Sequence, residues 1–382
     1  MREHKHTLAI VVAAALCLAA AHTAHAERRG YVINLFVPAM NNNDDSDCPQ
    51  GKNPTAPGIL ERILAEQGMP KTEIDKLMTG FNNGVFNQYA TMRGRVDGKP
   101  VNVYHHPMSV PDPHITLAVM KEAFGFNLDG KDGPGKYVDP LTGEKGVNNA
   151  AARVFGCFDR TRGTLETPPV NWSVRWNYYS YGNSWLIEIK TPDDRPLTFK
   201  DDDVVEVTFY RGLQPPIKNS QGYQRDMTYS VDPDPRLQGN TFKGKIRNGM
   251  FQSDQPFDFK LIASTRLNPV FDFKRSRLRL AFKPDGALEG LMGGFMPITM
   301  VYFPFGNYAN GAEFNGGMDI PGVYYALRQQ ADTDIDADPT TGARTRISQT
   351  YLIRAVPAFL VRSEATLDTN QAGGRSGERP KR

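Results

Sequence analysis

Alternating apolar and polar residues in the second half of the chain constrain its fold more than any other feature. The alternation is clear in WLIEI (185–189), VVEVTFY (204–210), TFKGKI (241–246) and RLRLAF (277–282). A period of two places successive side chains on opposite faces of a β-strand. Turn residues separate these segments. We therefore predict a mainly β (α+β) fold, in which residues 167–362 form an antiparallel β-sandwich or jelly-roll.

The first part of the chain has a different pattern. Residues 57–67 (PGILERILAEQ) place aliphatic side chains on one helical face, and residues 72–78 and 115–124 also have helical spacing. We predict a small helical, loop-rich N-terminal region over residues 27–166. Residues 363–382 lack apolar content and mix charge signs, which predicts a disordered tail.

The N-terminus has the pattern of a secretory signal peptide. Arg2 and Lys5 precede an uncharged apolar run over residues 8–21, and Ala24-His25-Ala26 fits the rule for cleavage after small residues. We predict a signal peptide over residues 1–26 and a periplasmic or secreted mature protein. An uncleaved anchor helix is the alternative. The remaining chain has no apolar run long enough for a membrane span.

Composition excludes several classes of protein. The chain has 45 Lys and Arg against 42 Asp and Glu, a net charge of +3, so we expect no nucleic-acid partner. Charged residues make up 23% and hydrophobic residues 40%. These fractions are typical of a globular protein and exclude a disordered, collagenous or coiled-coil chain.

Two cysteines, Cys48 and Cys157, remain when Cys17 leaves with the signal peptide. Exported proteins fold in an oxidising compartment, where two cysteines usually pair. We predict a disulfide between them, with two buried free thiols as the alternative. A catalytic thiol is not expected, because it would have to avoid pairing.

Asp332, Asp334, Asp336 and Asp338 alternate along one short loop. Alternate carboxylates on a flexible loop can converge on Ca²⁺, which prefers six to eight oxygen ligands. The loop is not a standard EF-hand, because Ala337 occupies the glycine position. The alternative is an acidic loop exposed to solvent.

A second candidate calcium loop lies within the predicted N-terminal region. Its carboxylates come from a glycine-rich segment that follows the helix predicted at 115–124: Asp129, Asp132, Asp139 and Glu144. Asn127 and Asn148 add amide oxygens. We predict that calcium stabilises this region, which the disulfide would tie together.

A DPxTG pattern occurs twice, at residues 139–143 and 338–342. Asp-Pro followed by Gly is common in turns, because the Asp side chain accepts hydrogen bonds from the following backbone N–H groups. The flanking residues do not match, so we predict two similar turns and not a repeated domain.

The mature chain has three histidines, His105, His106 and His114, with Met108 and Asp112 among them. Imidazole with thioether is a typical copper ligand set, and imidazole with carboxylate suits zinc. His106 and His114 are the first candidates for a metal site. The alternative is a proline-rich connector whose histidines have no metal.

Aromatic residues also cluster. Trp172, Trp176 and Trp185 lie close together in the sequence, and the intervening tyrosines are Tyr178, Tyr179 and Tyr181. Flat aromatic rings can bind sugars or other apolar ligands, and the tyrosines lie in a predicted turn. We predict these three tyrosines as ligand-binding residues. The alternative places the tryptophans in the core.

Several segments resemble a set of uncharacterised exported bacterial proteins. They are LDG (128–130), TGEKGVNN (142–149), GC (156–157) and DGALEGLMGGF (285–295). The resemblance covers a small part of the chain and implies no activity.

Familiar catalytic motifs are missing from the sequence: it has no GxSxG nucleophile elbow, no P-loop and no HExxH. We predict an exported, non-catalytic, calcium-stabilised β-sandwich protein that binds a small molecule, a glycan or a protein in the cell envelope. One alternative is a periplasmic copper or zinc enzyme that uses His105, His106 and His114. A structural component of an envelope complex is the other.

Overall fold

The computed structural model describes residues 28–41, 44–169, 183–192, 195–234, 240–262, 270–307, 313–314 and 316–362. Within them the α-helices are α1 (Ala56–Glu66), α2 (Lys71–Thr79), α3 (Asn83–Phe86), α4 (Ala150–Phe155), α5 (Ile298–Asn307) and α6 (Ile320–Gln329). The strands are β1 (Arg29–Pro38), β2 (Gly94–Val96), β3 (Lys99–Val101), β4 (Tyr137–Val138), β5 (Lys145–Val147), β6 (Ser184–Lys190), β7 (Val204–Gly212), β8 (Lys218–Asn219), β9 (Gly222–Tyr223), β10 (Met227–Ser230), β11 (Asn240–Arg247), β12 (Met250–Ser253), β13 (Phe257–Ile262), β14 (Val270–Phe282), β15 (Leu288–Pro297) and β16 (Arg346–Val361).

Eight of these strands close into an antiparallel barrel. Neighbours follow the order β1-β6-β7-β11-β12-β14-β15-β16, and β1 also pairs with β16. Each of these pairings is antiparallel. β13 pairs with β14, and β10 pairs in parallel with residues 358–361 of β16.

The predicted β-sandwich or jelly-roll is therefore wrong. A sandwich has two packed sheets, whereas the pairing of β1 with β16 joins the edges of one sheet and closes it. The alternation of apolar and polar residues is the same in both architectures, because each strand has one face toward a core. The partner of β1 lies at the other end of the chain, and no local pattern reports it.

Aromatic rings fill the barrel interior. The Phe36 ring of β1 lies 5.1 Å from Trp185 of β6, 5.2 Å from Phe271 of β14 and 4.6 Å from Tyr351 of β16, measured between ring centroids. β6 and β14 are not neighbours in the sheet, so rings that meet from both strands must point inward. Trp185 is buried, as the core alternative for the tryptophans expected.

The predicted helices at 57–67 and 72–78 are present as α1 and α2. The aliphatic face of α1 is buried against Phe86 and Phe314. Phe314 also stacks on Phe81, with ring centroids 5.5 Å apart.

The helix predicted at 115–124 is wrong. These residues form no helix, and their backbone N–H groups bond to distant parts of the chain. Thr116 donates to the side chain of Asn53 over 2.7 Å, and Val119 donates to the carbonyl of Asp47 over 2.8 Å. Long-range contacts therefore override the local helical spacing.

Candidate ligand-binding cavity

A cavity of about 330 Å³ opens on the outer wall of the barrel where β1, β6 and β16 run side by side. Gly30 of β1 pairs with Glu188 of β6 on one side and with Ala358 of β16 on the other. These three residues form one row on the outer face. Glu188 places a long side chain at one end of the row, and Ala358 places a methyl group at the other end. Gly30 has no side chain, so a trough remains in the middle.

The trough depends on Gly30. A Cβ atom built there would lie 2.6 Å from the carbonyl oxygen of Ala358 and 2.6 Å from Cγ of Leu360. Real Cβ atoms do not approach so closely, so this position accepts no other residue without moving β16. Leu360 and Phe359 form the apolar part of the lining, and Phe359 is 62% exposed at the rim.

Two guanidinium groups flank one buried carboxylate in the cavity. Arg362 Nη2 donates to Glu188 Oε2 over 2.7 Å and to the Tyr210 hydroxyl over 2.8 Å. Arg28 Nη1 lies 4.0 Å from Glu188 Oε1. The Glu188 side chain is 6% exposed, that of Arg362 11% and that of Arg28 45%. The three groups leave a formal charge of +1.

Neighbouring groups fix the charge states in the cavity. Burial lowers the pKa of Arg362, but the hydrogen bond and charge of Glu188 outweigh that effect, and its pKa is raised. Burial raises the pKa of the Tyr210 hydroxyl, and the Glu188 carboxylate raises it further. Arg362 therefore stays a cation and Tyr210 a neutral hydroxyl at physiological pH.

Sequence reasoning missed this cavity. Its polar residues lie far apart in the sequence, at positions 28, 188 and 362, and none belongs to a known motif. One weak signal was available: Glu188 interrupts the apolar run WLIEIK on a strand whose two faces are both buried. A charged residue on such a strand needs a partner.

The predicted ligand-binding residues Tyr178, Tyr179 and Tyr181 lie outside the described residues, as do Trp172 and Trp176. Their role in binding stays a prediction. Trp185, the third tryptophan of the cluster, is in the barrel core.

The aspartates of the 332–338 loop contact separate partners. Asp334 pairs with Arg344 over 2.8 Å, and Asp336 pairs with Arg346 over 2.7 Å. Asp338 accepts the backbone N–H groups of residues 340 and 341. Asp332 points inward and accepts both the backbone N–H and the hydroxyl of Ser348. Burial raises the pKa of Asp332.

The carboxylates of the 129–144 loop are also matched by cations of the same chain, with one exception. Asp129 pairs with Lys136 over 2.8 Å, Asp139 with Arg279 over 2.6 Å, and Glu144 with Arg277 over 3.4 Å. The exception is Asp132, which accepts the N–H of the following glycine in a local turn.

The two acidic loops meet at Asn148. Its side-chain amide lies 3.5 Å from Asp332. Burial raises the pKa of Asp129, but hydrogen bonds from Lys136, Lys131 and Asn148 and the charge of the Lys136 ammonium outweigh that effect, and the pKa is lowered. Burial raises the pKa of Asp332, and the charge of the same ammonium opposes that rise without cancelling it. Lys136 thus supplies the positive charge between the loops.

The three histidines lie in the connector between β3 and β4. His105 and His106 both donate their backbone N–H to the carbonyl of Asn102, so they lie in a turn. His114 has a φ of +53°, its side chain is 85% exposed, and its Nδ1 lies 3.5 Å from Asp112. Met108 contacts Arg328.

Within the residues that the structure describes, no three His, Cys, Asp or Glu side chains are grouped closely enough to hold a metal ion. Calcium at the acidic loops, and copper or zinc at the histidines, therefore stay predictions from the sequence.

The predicted disulfide is present. Cys48 and Cys157 are bonded, with Cα atoms 5.8 Å apart, and both residues are buried. Arg162 lies 3.7 Å from the Cys48 sulfur and pairs with Asp45. Closing a loop of this length contributes about 4–5 kcal/mol on the chain-entropy model.

A second buried charge cluster joins the helical region to α6. Glu313 is fully buried and accepts the Tyr104 hydroxyl over 2.7 Å and the backbone N–H of Ile320 over 3.0 Å. Arg93 lies 3.7 Å from Glu313 and 3.3 Å from Asp319, the N-cap of α6, which also pairs with Arg62 on α1. Burial raises the pKa of Glu313 to about 7, although Arg93 opposes the shift.

The chain matches no protein-family model, no curated protein and no solved structure. Among the described residues, none of the helices has the length and apolar character needed to cross a bilayer.

Proposed function

We propose that this protein is an exported, non-catalytic binding protein that holds a small molecule in the cavity between β1, β6 and β16. The observation that carries this proposal is the cavity itself, in which an apolar wall faces two guanidinium groups. The cavity volume of about 330 Å³ lies at the lower end of the range of small-molecule sites. A cavity of this size cannot enclose a folded partner. Export is supported by the signal-peptide pattern and by the disulfide.

A cavity-filling variant tests this proposal. In Ala358→Met the longer side chain should occupy the floor of the trough, so a fragment that binds wild type should lose about tenfold or more in affinity. Binding is measured by titrating a fragment library into ¹⁵N-labelled mature protein and following the amide shifts of Gly30 and residues 358–362.

Val204→Met is the matched control, because Val204 is exposed at the start of β7 and does not line the cavity. It should bind like wild type. The proposal fails if no fragment shifts the cavity amides, or if both variants bind equally well.

A further inference from the structure

The charge balance of the cavity points to the chemical class of its ligand. We infer that the cavity selects an organic carboxylate with a short aromatic or branched apolar group. This inference rests on the proposed function and adds the identity of the group that the arginines recognise.

Both arginines of the cavity have N–H groups that bond to no described residue. A guanidinium has five N–H donors. Among the described residues, Arg362 uses only its Nη2 group, for Glu188 and Tyr210. Arg28 approaches Glu188 no closer than 4.0 Å. An anion entering the trough would therefore find free N–H groups on both sides and would bring the local formal charge from +1 to zero.

The Arg362 side chain is already held in place before a ligand binds. Arg362 is held by a charge-assisted hydrogen bond, by the Tyr210 hydroxyl, and by its position 4.9 Å above the Tyr210 ring. A guanidinium fixed in this way has already lost its rotamer freedom, and the N–H groups along its edge match the geometry of a carboxylate. Arg28 is half exposed, so it can close over the ligand from the solvent side.

The cavity also has an apolar wall beside the arginines. Leu360 lines the trough, and Phe359 stands exposed at its rim. An exposed phenylalanine beside a cationic cavity offers a surface on which an aromatic or branched group can pack. An inorganic anion would use the arginines and leave this wall uncovered.

Glu188 sets the selectivity against cations. Its carboxylate already accepts Arg362 and faces Arg28, so an amine would have to displace an arginine or approach two positive charges. Cationic ligands are therefore disfavoured, although a carboxylate lines the cavity.

Four probes of known charge test this inference on the wild-type protein: phenylacetate, 2-phenylethanol, 2-phenylethylamine and inorganic sulfate. Phenylacetate should shift the amides of Gly30 and residues 358–362. The alcohol should bind roughly tenfold more weakly, because it lacks the charge-assisted hydrogen bonds. The amine should not bind, and sulfate should bind more weakly than phenylacetate.

The Arg28→Gln variant provides an independent test of the same inference. It should weaken phenylacetate binding roughly tenfold and leave the alcohol unchanged. Arg247→Gln is the control, because Arg247 is exposed on β11, does not line the cavity and changes the net charge equally.

The outcomes separate this inference from the proposed function. If the alcohol or the amine binds as tightly as phenylacetate, or sulfate binds more tightly, the ligand class is wrong while the cavity still binds ligands. If the two arginine variants lose affinity equally, the effect is one of net charge and Arg28 has no role. If no probe and no library fragment shifts the cavity amides, the proposed function itself fails.

Discussion

The acidic loops and the cavity are both rich in charge, but they balance it in opposite ways. In the loops, Asp129, Asp139, Glu144, Asp334 and Asp336 each pair with a lysine or arginine of the same chain. In the cavity, two arginines share one glutamate. Asp132, Asp332 and Asp338 have no ion pair with any described residue, and hydrogen bonds hold their carboxylates instead. The loops therefore keep an excess of negative charge, whereas the cavity keeps an excess of positive charge beside an apolar wall. The sign of that excess sets which ligand each region would attract, a cation at the loops and an anion at the cavity.

The two DPxTG turns have the same local structure, but burial changes how much each contributes to stability. In both turns the first aspartate accepts the N–H groups of the residues two and three positions later, and its carbonyl accepts the glycine N–H over 2.8 Å. This confirms the prediction of two similar turns. Asp139 is also fully buried against Arg279, whereas Asp338 forms no ion pair with any described residue.

The largest expected loss of stability comes from breaking the buried ion pair between Asp139 and Arg279. Asp139→Asn keeps an oxygen for the turn but leaves the buried Arg279 without a counter-charge, which should lower the free energy of unfolding by about 3–5 kcal/mol. Asp338→Asn changes the same atom in the matching turn and should stay within about 0.5 kcal/mol of wild type. Urea denaturation measures both. Equal losses would show that the turn, and not the ion pair, carries the stability.

A smaller change in the free energy of unfolding is expected from the titration of Glu313. Its pKa is about 7 in the folded protein against 4.5 in an unperturbed carboxyl, because burial disfavours the charged form. The folded state therefore binds a proton more tightly than the unfolded state. The free energy of unfolding should fall by up to about 3 kcal/mol as the pH rises from 4.5 to 7, and should change little through this group outside that window.

Glu313→Gln removes this titration and keeps a hydrogen-bond acceptor for Tyr104. Its stability should vary less with pH between 4.5 and 7 than that of wild type, as measured by urea denaturation at each pH. A variant that kept the full wild-type slope would assign the pH dependence to other groups, with Asp332 the next candidate, since burial raises its pKa as well.

The smallest expected effect is that of calcium on the wild-type protein. Because no three carboxylates of the described loops are grouped closely enough to share an ion, calcium or a chelator should move the melting temperature by less than about 1 °C. Lys136→Met removes the ammonium between Asp129 and Asp332 and should create a larger calcium response. A rise of several degrees in wild type would instead support the calcium sites predicted from the sequence.

The acidic loops also show why predicting a site from sequence is difficult. The carboxylates are visible as runs in the sequence, but apart from Lys136 their cation partners lie in two Arg-x-Arg segments, Arg277 to Arg279 and Arg344 to Arg346. Arg277 and Arg279 alternate on β14, so both lie on one face of that strand. Arg344 precedes β16 and pairs with Asp334, whereas Arg346 begins β16 and pairs with both Asp336 and Asp272. Arg344 and Arg346 are close in sequence to their aspartates, and that pairing was predictable. The pairing of Arg277 and Arg279 with residues 144 and 139 depends on the fold.

The sequence by itself determined the local properties of this protein: the strand alternation, the helices α1 and α2, the two aspartate turns and the cysteine pair. Each follows from contacts within a few residues or, for the disulfide, from a choice with only one partner available. The tertiary structure alone decided that the sheet closes as a barrel and that Arg28, Glu188 and Arg362 meet beside Gly30. Those outcomes depend on the register between the first and last strands, and the energy of that register is spread over many long-range contacts that leave no local signal.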